Sequence, residues 1–376
     1  VEAYPLGLRA ELNGSARSRS IEGELLRSLG ARYSSVNDRP RRIIHPIVPE
    51  GRNLEDCKNE LTAQRKEDPA FLLGYVPDND GDRGNIVYYD EVEDTAKAVE
   101  AQEVFALSVL AELADLRSRV DAAAPAAVVI NGPTSMRIEH IAELLSVEVY
   151  RTETGEANVV SRAQELRRRG YTVRILGEGS NGGNITHPAT VRDPLNTIIS
   201  LLKLLTLPRP FELWCERSGL RRSSGGRITI RELLSSLPPF VTTGAYESEA
   251  KLKVSTEDHG LLKRRYEELF RQEWEDRREE LRRNYGIAMW REINYEGTEA
   301  REGLGPEYRS AAERGGLKIV FSDAKGRDSD FLWMRGSGTE PVFRILADCR
   351  GGDRKRHDEL LRWHRSLIER ADSSFS

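Results

Sequence analysis

Ala127-Val128-Val129-Ile130 opens the stretch whose reading decides the fold class. It is a short run of β-formers with no polar break. A helical pattern follows over 137–145, then the strand-like Val147-Glu148-Val149-Tyr150. A second helical pattern over 156–169 is stopped by Gly170, and Thr172-Val173-Arg174-Ile175-Leu176 closes the series. Short apolar runs alternating with amphipathic helices predict strands covered by helices, which is α/β architecture. Upstream, the pattern predicts a strand over 6–12, an Asn13-Gly14-Ser15 turn, and a helix capped by Ser20 with Glu22 and Glu24 in its first turn. Two strands over 71–76 and 85–89 enclose a polar loop. An amphipathic helix over 96–119 then runs into an Ala/Pro-rich linker at 121–126. Downstream come a helix over 193–206, an irregular Pro-containing boundary near 237–246, and a charged helix over 258–284 whose charges read as a solvated face. Strands over 317–321, 331–334 and 342–346 and a terminal helix over 354–370 complete the chain. The expected domains are 1–120, 121–245 and 246–376.

The 376 residues suit two or three domains. Hydrophobic residues make up 38% and charged ones 31%, spread along the chain, which excludes a disordered or collagen-like polymer. With 57 Lys and Arg against 61 Asp and Glu, the net charge of −4 leaves no electrostatic footprint for nucleic acid or an acidic membrane. The best apolar run, 196–207, is broken by Lys203 and falls short of the roughly 18 residues of a membrane span. Cys57, Cys215 and Cys349 lie far apart, which excludes a disulfide scaffold and a Cys-based zinc site and points to a reducing compartment. Residue 1 is Val, with no basic-then-apolar leader after it. The expectation is a cytoplasmic, soluble chain that is a piece of a longer protein.

Three loops carry chemistry. In Asp78-Asn79-Asp80-Gly81-Asp82-Arg83, alternate residues of an extended backbone share a face, so three carboxylates can converge. Two such groups ~5–6 Å apart repel by about 3 kcal/mol at an effective dielectric near 20, so the cluster is either solvated or bound to a cation. Hard oxygens without His or Cys favour Mg²⁺ or Ca²⁺. An EF-hand is excluded because Arg83 stands where it needs Gly and Tyr89 where it needs Glu.

The second loop, Gly177-Glu178-Gly179-Ser180-Asn181-Gly182-Gly183, contains G-x-G-x-x-G. A dinucleotide fingerprint should open a helix at once, yet Pro188 follows and position 197 is Thr rather than an acid. Glu178 and Ser180 instead suit sugar hydroxyls, and His187 reads as structural. The third loop, Arg335-Gly336-Ser337-Gly338-Thr339-Glu340-Pro341, with Arg344 after it, offers backbone N–H groups, hydroxyls and a guanidinium fork to a compact phosphate. It lacks the G-K-[ST] ending of a P-loop.

Taken in order, the loops resemble those of the α-D-phosphohexomutases, the phosphoglucomutase/phosphomannomutase superfamily. The family's D-x-D-x-D-R is matched by Asp78, Asp80, Asp82 and Arg83, and its R-x-S-G-T-E-P by the whole run from Arg335 to Pro341. Its G-E-x-S-G is matched by Gly177, Glu178 and Ser180 and departs at Asn181. Asn13-Gly14, His45-Pro46 with Pro49, and Thr152 with Gly155 match lesser features.

The resemblance implies two mixed α/β/α sandwich domains followed by a smaller C-terminal α+β domain. It implies Mg²⁺ on Asp78, Asp80 and Asp82. Glu178 and Ser180 would then serve the sugar and Arg335, Ser337 and Thr339 the distal phosphate, with Arg83, Gly338 and Arg344 also binding the substrate. The implied reaction interconverts hexose 1-phosphate and hexose 6-phosphate through a phosphoserine enzyme and a bisphosphate intermediate. No Ser-His-Asn segment occurs in the sequence, so the catalytic serine is expected outside this chain, which alone would be inactive. Ala157 stands where the family often has Lys, and with Asn181 it bears on specificity. The alternative expectation is a non-catalytic sugar-phosphate binding protein. Either way the expected partner is a hexose phosphate, with no nucleic acid or membrane, bound to a monomer.

Overall fold

The computed structural model describes residues 6–179, 183–222, 226–309, 313–337 and 342–373. The backbone divides into two compact units. The first is Val1–Val128, Ile141–Glu148 and Leu166–Leu237, and the second is Val129–His140, Val149–Glu165 and Pro238–Ser376. Both are mixed α/β, as the sequence pattern predicts.

The first unit opens with β1 (Gly7–Glu11), α1 (Glu22–Ser28), β2 (Arg32–Val36), α2 (Glu55–Glu67), β3 (Phe71–Pro77), β4 (Gly84–Asp90) and β5 (Thr95–Ala98). They form a sheet in the order β2-β1-β3-β4-β5. β1 runs parallel to β2 and β3, whereas β4 is antiparallel to β3 and β5. β3 is buried along its whole length because α2 sets Cys57 and Leu61 against Phe71, Val76 and Val87. After β1 the chain turns on Asn13 and Gly14, both at positive φ. Asn13 Oδ1 accepts from the backbone N–H groups of Ile44 (2.7 Å) and His45 (3.1 Å), which pins the distant 44–45 segment. Ser20 does not cap α1; it ends a short helical turn at 16–19, and α1 starts at Glu22 without a side-chain cap.

The expected helix over 96–119 is shorter at its start. Residues 95–98 form the edge strand β5, and α3 (Ala101–Arg119) begins beyond it. The outer edge of β4 needs backbone partners, and Val99 N donating to Ile86 O (2.9 Å) completes that pairing, so tertiary hydrogen bonding overrides local helix propensity. α3 is also not amphipathic: residues 104–115 are buried all round.

β6 (Ala126–Asn131), α4 (Arg137–Leu144), β7 (Glu148–Thr152), α5 (Glu156–Arg168), β8 (Thr172–Glu178) and β9 (Gly183–Thr186) follow, with strand order β7-β6-β8-β9. α6 (Pro194–Thr206) starts where predicted, with Asp193 accepting from Leu195 N (2.9 Å). α7 (Pro208–Ser218) and α8 (Ile230–Ser236) come next. α3 packs on α6, α7 and β8, all of which follow the Ala/Pro-rich stretch. By packing, then, α3 goes with the elements after that stretch rather than with 1–100.

The second unit holds β10 (Phe240–Thr242), β11 (Lys251–Lys253), α9 (His259–Tyr285), β12 (Met289–Glu296), β13 (Glu299–Glu302), β14 (Leu317–Ser322), β15 (Asp328–Gly336), β16 (Val342–Arg350) and α10 (Arg354–Ser373). The antiparallel sheet runs β10-β16-β15-β14-β12-β13, and β11 also pairs with β16. α9 and α10 cover one face over a stacked aromatic core, with Phe270 5.1 Å from Trp363 and 4.7 Å from Trp290 between ring centroids. The charges of α9 are not all solvated. Lys263 is buried, and Glu267 holds Arg309, which also meets buried Glu292 at 2.9 Å. Residues 129–140 belong here because Asp348 accepts from Ser135 Oγ and Met136 N, each at 2.8 Å, and Lys318 Nζ donates to Gly132 O at 2.8 Å. The range 121–245 is therefore shared between the two units. Among the described residues no helix is long and apolar enough to cross a membrane.

One buried group gives the second unit an acid limit. His364 Nε2 donates to Trp333 O (3.1 Å) and Nδ1 accepts from Tyr266 Oη (2.8 Å), a pattern that only the neutral ring makes. Burial pushes its pKa from 6.5 to about 4. The unfolded chain therefore takes up this proton first, and stability falls as pH drops below about 6.5 toward 4. Urea titration should show a loss of about 1–2 kcal/mol from this group between pH 6.5 and 5. His364→Gln should remove that slope; an unchanged slope would show that other groups carry it.

Candidate functional site

β3 and β4 are registered Pro77 to Gly84, so the six residues between them form the tip of a hairpin. The register is locked by Asp78 N donating to Arg83 O at 3.0 Å. Asp78 Oδ1 accepts from Gly81 N and Arg83 N, both 3.1 Å, and Oδ2 meets Arg83 Nε at 2.8 Å. Gly81 has φ +79°, and a Cβ there would lie 2.6 Å from Arg17 Cδ, so both conformation and space demand glycine. This turn brings a carboxylate oxygen of each of Asp78, Asp80 and Asp82 within 4.8 Å of the others. Asp78 is buried, Asp82 half-buried and Asp80 exposed. Burial pushes the Asp78 carboxyl up; Arg83 opposes this, while Asp82 and Asp80 reinforce it. Asp82 Oδ1 is buried without a hydrogen bond, 3.4 Å from Arg83 Nε. An all-oxygen set with one orphaned buried oxygen fits a hard divalent cation such as Mg²⁺.

Glu178 ends β8 and is 5% exposed. Among the described residues β8 is followed by its antiparallel neighbour β9, with Glu178 opposite Gly183, whereas a dinucleotide fingerprint runs from its strand into a helix. Arg192 Nη1 lies 3.7 Å from Glu178 Oε2, and its Nη2 pairs with Asp82. Arg17 similarly joins Glu22 to Asp193. The 192–193 segment thus ties the carboxylate hairpin to the end of β8 within one unit. Ser180 lies outside the described residues.

In the second unit β15 and β16 pair as far as Gly336 and Phe343, and Ser337 N donates to Val342 O at 2.8 Å. Gly338 and Thr339 lie outside the described residues. Arg335 stands opposite Arg344, which stands opposite Lys251 of β11. Cross-strand partners share a face of the sheet, so three cations form a row. Arg344 Nη1 donates to Ala245 O at 3.0 Å. Arg335 Nε meets Glu153 Oε1 at 3.2 Å. Glu153 is buried and also accepts from Thr154 N (2.6 Å), Thr154 Oγ1 (2.7 Å) and Gly316 N. His259 of α9 lies flat on Gly336, where any Cβ would enter the imidazole.

Residues 106–217 match the family described as phosphoglucomutase/phosphomannomutase, alpha/beta/alpha domain III. Over those residues the chain is similar to this family's third domain. The match begins inside α3, in keeping with how that helix packs. The fold of nearly the whole chain agrees. A phosphoglucomutase/phosphomannomutase family protein from Burkholderia thailandensis superposes with a TM-score of 0.60 at 16% identity, covering 98% of this chain and 61% of that one. The Paramecium phosphoglucomutase parafusin, in an open form, gives 0.61 at 14% identity over 97% and 57%. A phosphomannomutase-like protein from Thermus thermophilus gives 0.52 at 17% over 97% and 61%. The chain thus spans about 60% of the length of these solved structures. No protein of curated function matches it by sequence. The match over 106–217 and the shared fold agree with the superfamily resemblance.

Within this phosphohexomutase fold, three site residues were not singled out from the sequence: Arg192, Lys251 and Glu153. Lys251 and Glu153 come near Arg335 and Arg344 only through sheet register and a long-range ion pair. The sole local signal was Glu153's place between Thr152 and Gly155.

Proposed function

We propose that the chain binds a hexose phosphate as part of a phosphohexomutase that interconverts hexose 1-phosphate and hexose 6-phosphate, with phosphoserine as donor in the whole protein. The observation that carries this reading is the hairpin of three converging carboxylates with Arg83 at its base, in a chain similar over 106–217 to this family's third domain. Asp78, Asp80 and Asp82 would hold Mg²⁺, which when bound neutralises charge developing on a transferring phosphoryl group. Arg83 orients Asp78, and its positive charge beside the carboxylates would attract phosphate oxygens. Glu178 presents an acceptor for sugar hydroxyls, and the row of Arg335, Arg344 and Lys251 gives the non-reacting phosphate an electropositive seat. Calorimetric titration of glucose 1-phosphate, with and without Mg²⁺, tests the reading. Binding that Mg²⁺ strengthens is expected, and absence of heat in both titrations refutes it.

Glu153 sets the affinity of that seat. Its carboxylate lies 3.2 Å from Arg335 Nε and competes with a phosphate dianion for the same guanidinium. Glu153→Gln keeps the shape and removes the charge, so glucose 1-phosphate should bind several-fold more tightly. Equal affinity would show that the carboxylate only shapes the loop.

A further inference from the structure

A second, differently built depression lies in the first unit, at the opposite end of β8 from Glu178. Six residue steps along β8 separate Thr172 from Glu178, roughly 20 Å of extended chain. The depression has a volume of about 440 Å³, within the range of small-ligand sites. Leu116, Val120 and Val173 give it apolar surface. Tyr171 stands at its side with its hydroxyl donating to Glu148 Oε1 at 3.0 Å, which fixes the ring.

Its charge is unbalanced. Arg119, Arg167 and Arg174 line it, and Lys203 shares carboxylates with two of them. Asp115 is shared by Arg119 (2.7 Å) and Lys203 (3.8 Å), and Glu112 by Arg174 (2.8 Å) and Lys203 (2.6 Å). Two carboxylates therefore serve three cations, and Arg167 adds a fourth positive charge. Arg167 donates to the carbonyl of Val173 at 2.7 Å. Burial alone pulls its pKa down, with no carboxylate opposing. His187 lies in the same lining; burial and the charges of Arg167 and Arg174 hold its imidazole below the usual range. Guanidiniums that converge on one depression without enough counter-charge are arranged to receive an anion, and Arg is the side chain that grips phosphate in a fork.

We infer that this depression is a binding site for a phosphate monoester carrying a flat or apolar organic group, of the nucleoside-monophosphate class. Arg167 and Arg119 take the phosphate, and the Tyr171 ring with Val173, Leu116 and Val120 takes the organic part. His187 offers a neutral ring nitrogen to a ligand hydroxyl. The site is separate from the hexose-phosphate reading and stands or falls without it.

The test uses the whole chain, with adenosine 5′-monophosphate as probe and adenosine as the uncharged control. Calorimetry should show the monophosphate binding at least about tenfold more tightly than adenosine. Arg167→Glu and Arg119→Glu should each weaken it by a similar factor at unchanged melting temperature. Arg335→Ala should leave it untouched. The His187 ring resonance, assigned with His187→Gln, should shift on titration. No binding to the unmodified chain, or equal binding to Arg167→Glu, overturns the assignment.

Discussion

Asp80→Ala is expected to weaken Mg²⁺ binding by roughly 100-fold or more, with little effect on folding. The three carboxylates do different work. Asp78 holds the hairpin, with its oxygens taken up by Gly81 N, Arg83 N and Arg83 Nε, so removing it would disturb the turn as well as any metal. Asp82 is tied to Arg192. Asp80 is the exposed member of the cluster, so its loss isolates the metal role. Calorimetric Mg²⁺ titration measures the effect directly. A second readout is thermal: millimolar Mg²⁺ should raise the melting temperature of the unmodified chain and leave that of the variant unchanged. Equal Mg²⁺ affinity in the two proteins would remove the hairpin from metal binding.

Arg335→Ala is expected to weaken glucose 1-phosphate binding by about 10–100-fold, because a guanidinium held in a row of like charges is worth more to a dianion than an isolated surface charge. The side chain is about a third exposed, and its partner Glu153 keeps Thr154 and Gly316 as donors, so the fold should tolerate the loss. Arg335→Lys should restore only part of the affinity, since an ammonium cannot make a two-pronged contact. An unchanged dissociation constant in Arg335→Ala would take this arginine out of the site. Compared with Glu153→Gln, the pair separates attraction from competition: one variant should lose affinity, the other should gain it.

Much of the fold was legible because short apolar runs and helical periodicity are local properties. The strands around Asp78, the helix stopped by Gly170 and the long helix near 258–284 all stand close to where the pattern put them. Where the reading slipped, a distant partner had intervened. Residues 95–98 became a strand because β4 had an open edge, and α3 is buried all round because α6, α7 and β8 surround it. β12 and β13 escaped notice because Met289–Glu296 and Glu299–Glu302 carry charges at several strand positions. β12 is placed by its pairing with β14, and β13, exposed throughout, by its pairing with β12.

By itself the sequence determined the chemistry on offer: three acids at alternate positions, a glutamate ending a strand, and an arginine, serine and glycine loop between two strands. Those follow from residue type and spacing, which the chain carries wherever it folds. Only the tertiary structure decided how those groups are constrained. It placed Arg192 between Asp82 and Glu178, set Lys251 in a row with Arg344 and Arg335, and closed Glu153 onto Arg335. The meetings of Arg192 with Asp82, Lys251 with Arg344 and Glu153 with Arg335 join residues dozens to more than a hundred positions apart. Sheet register and burial fix such meetings, and no local pattern encodes them.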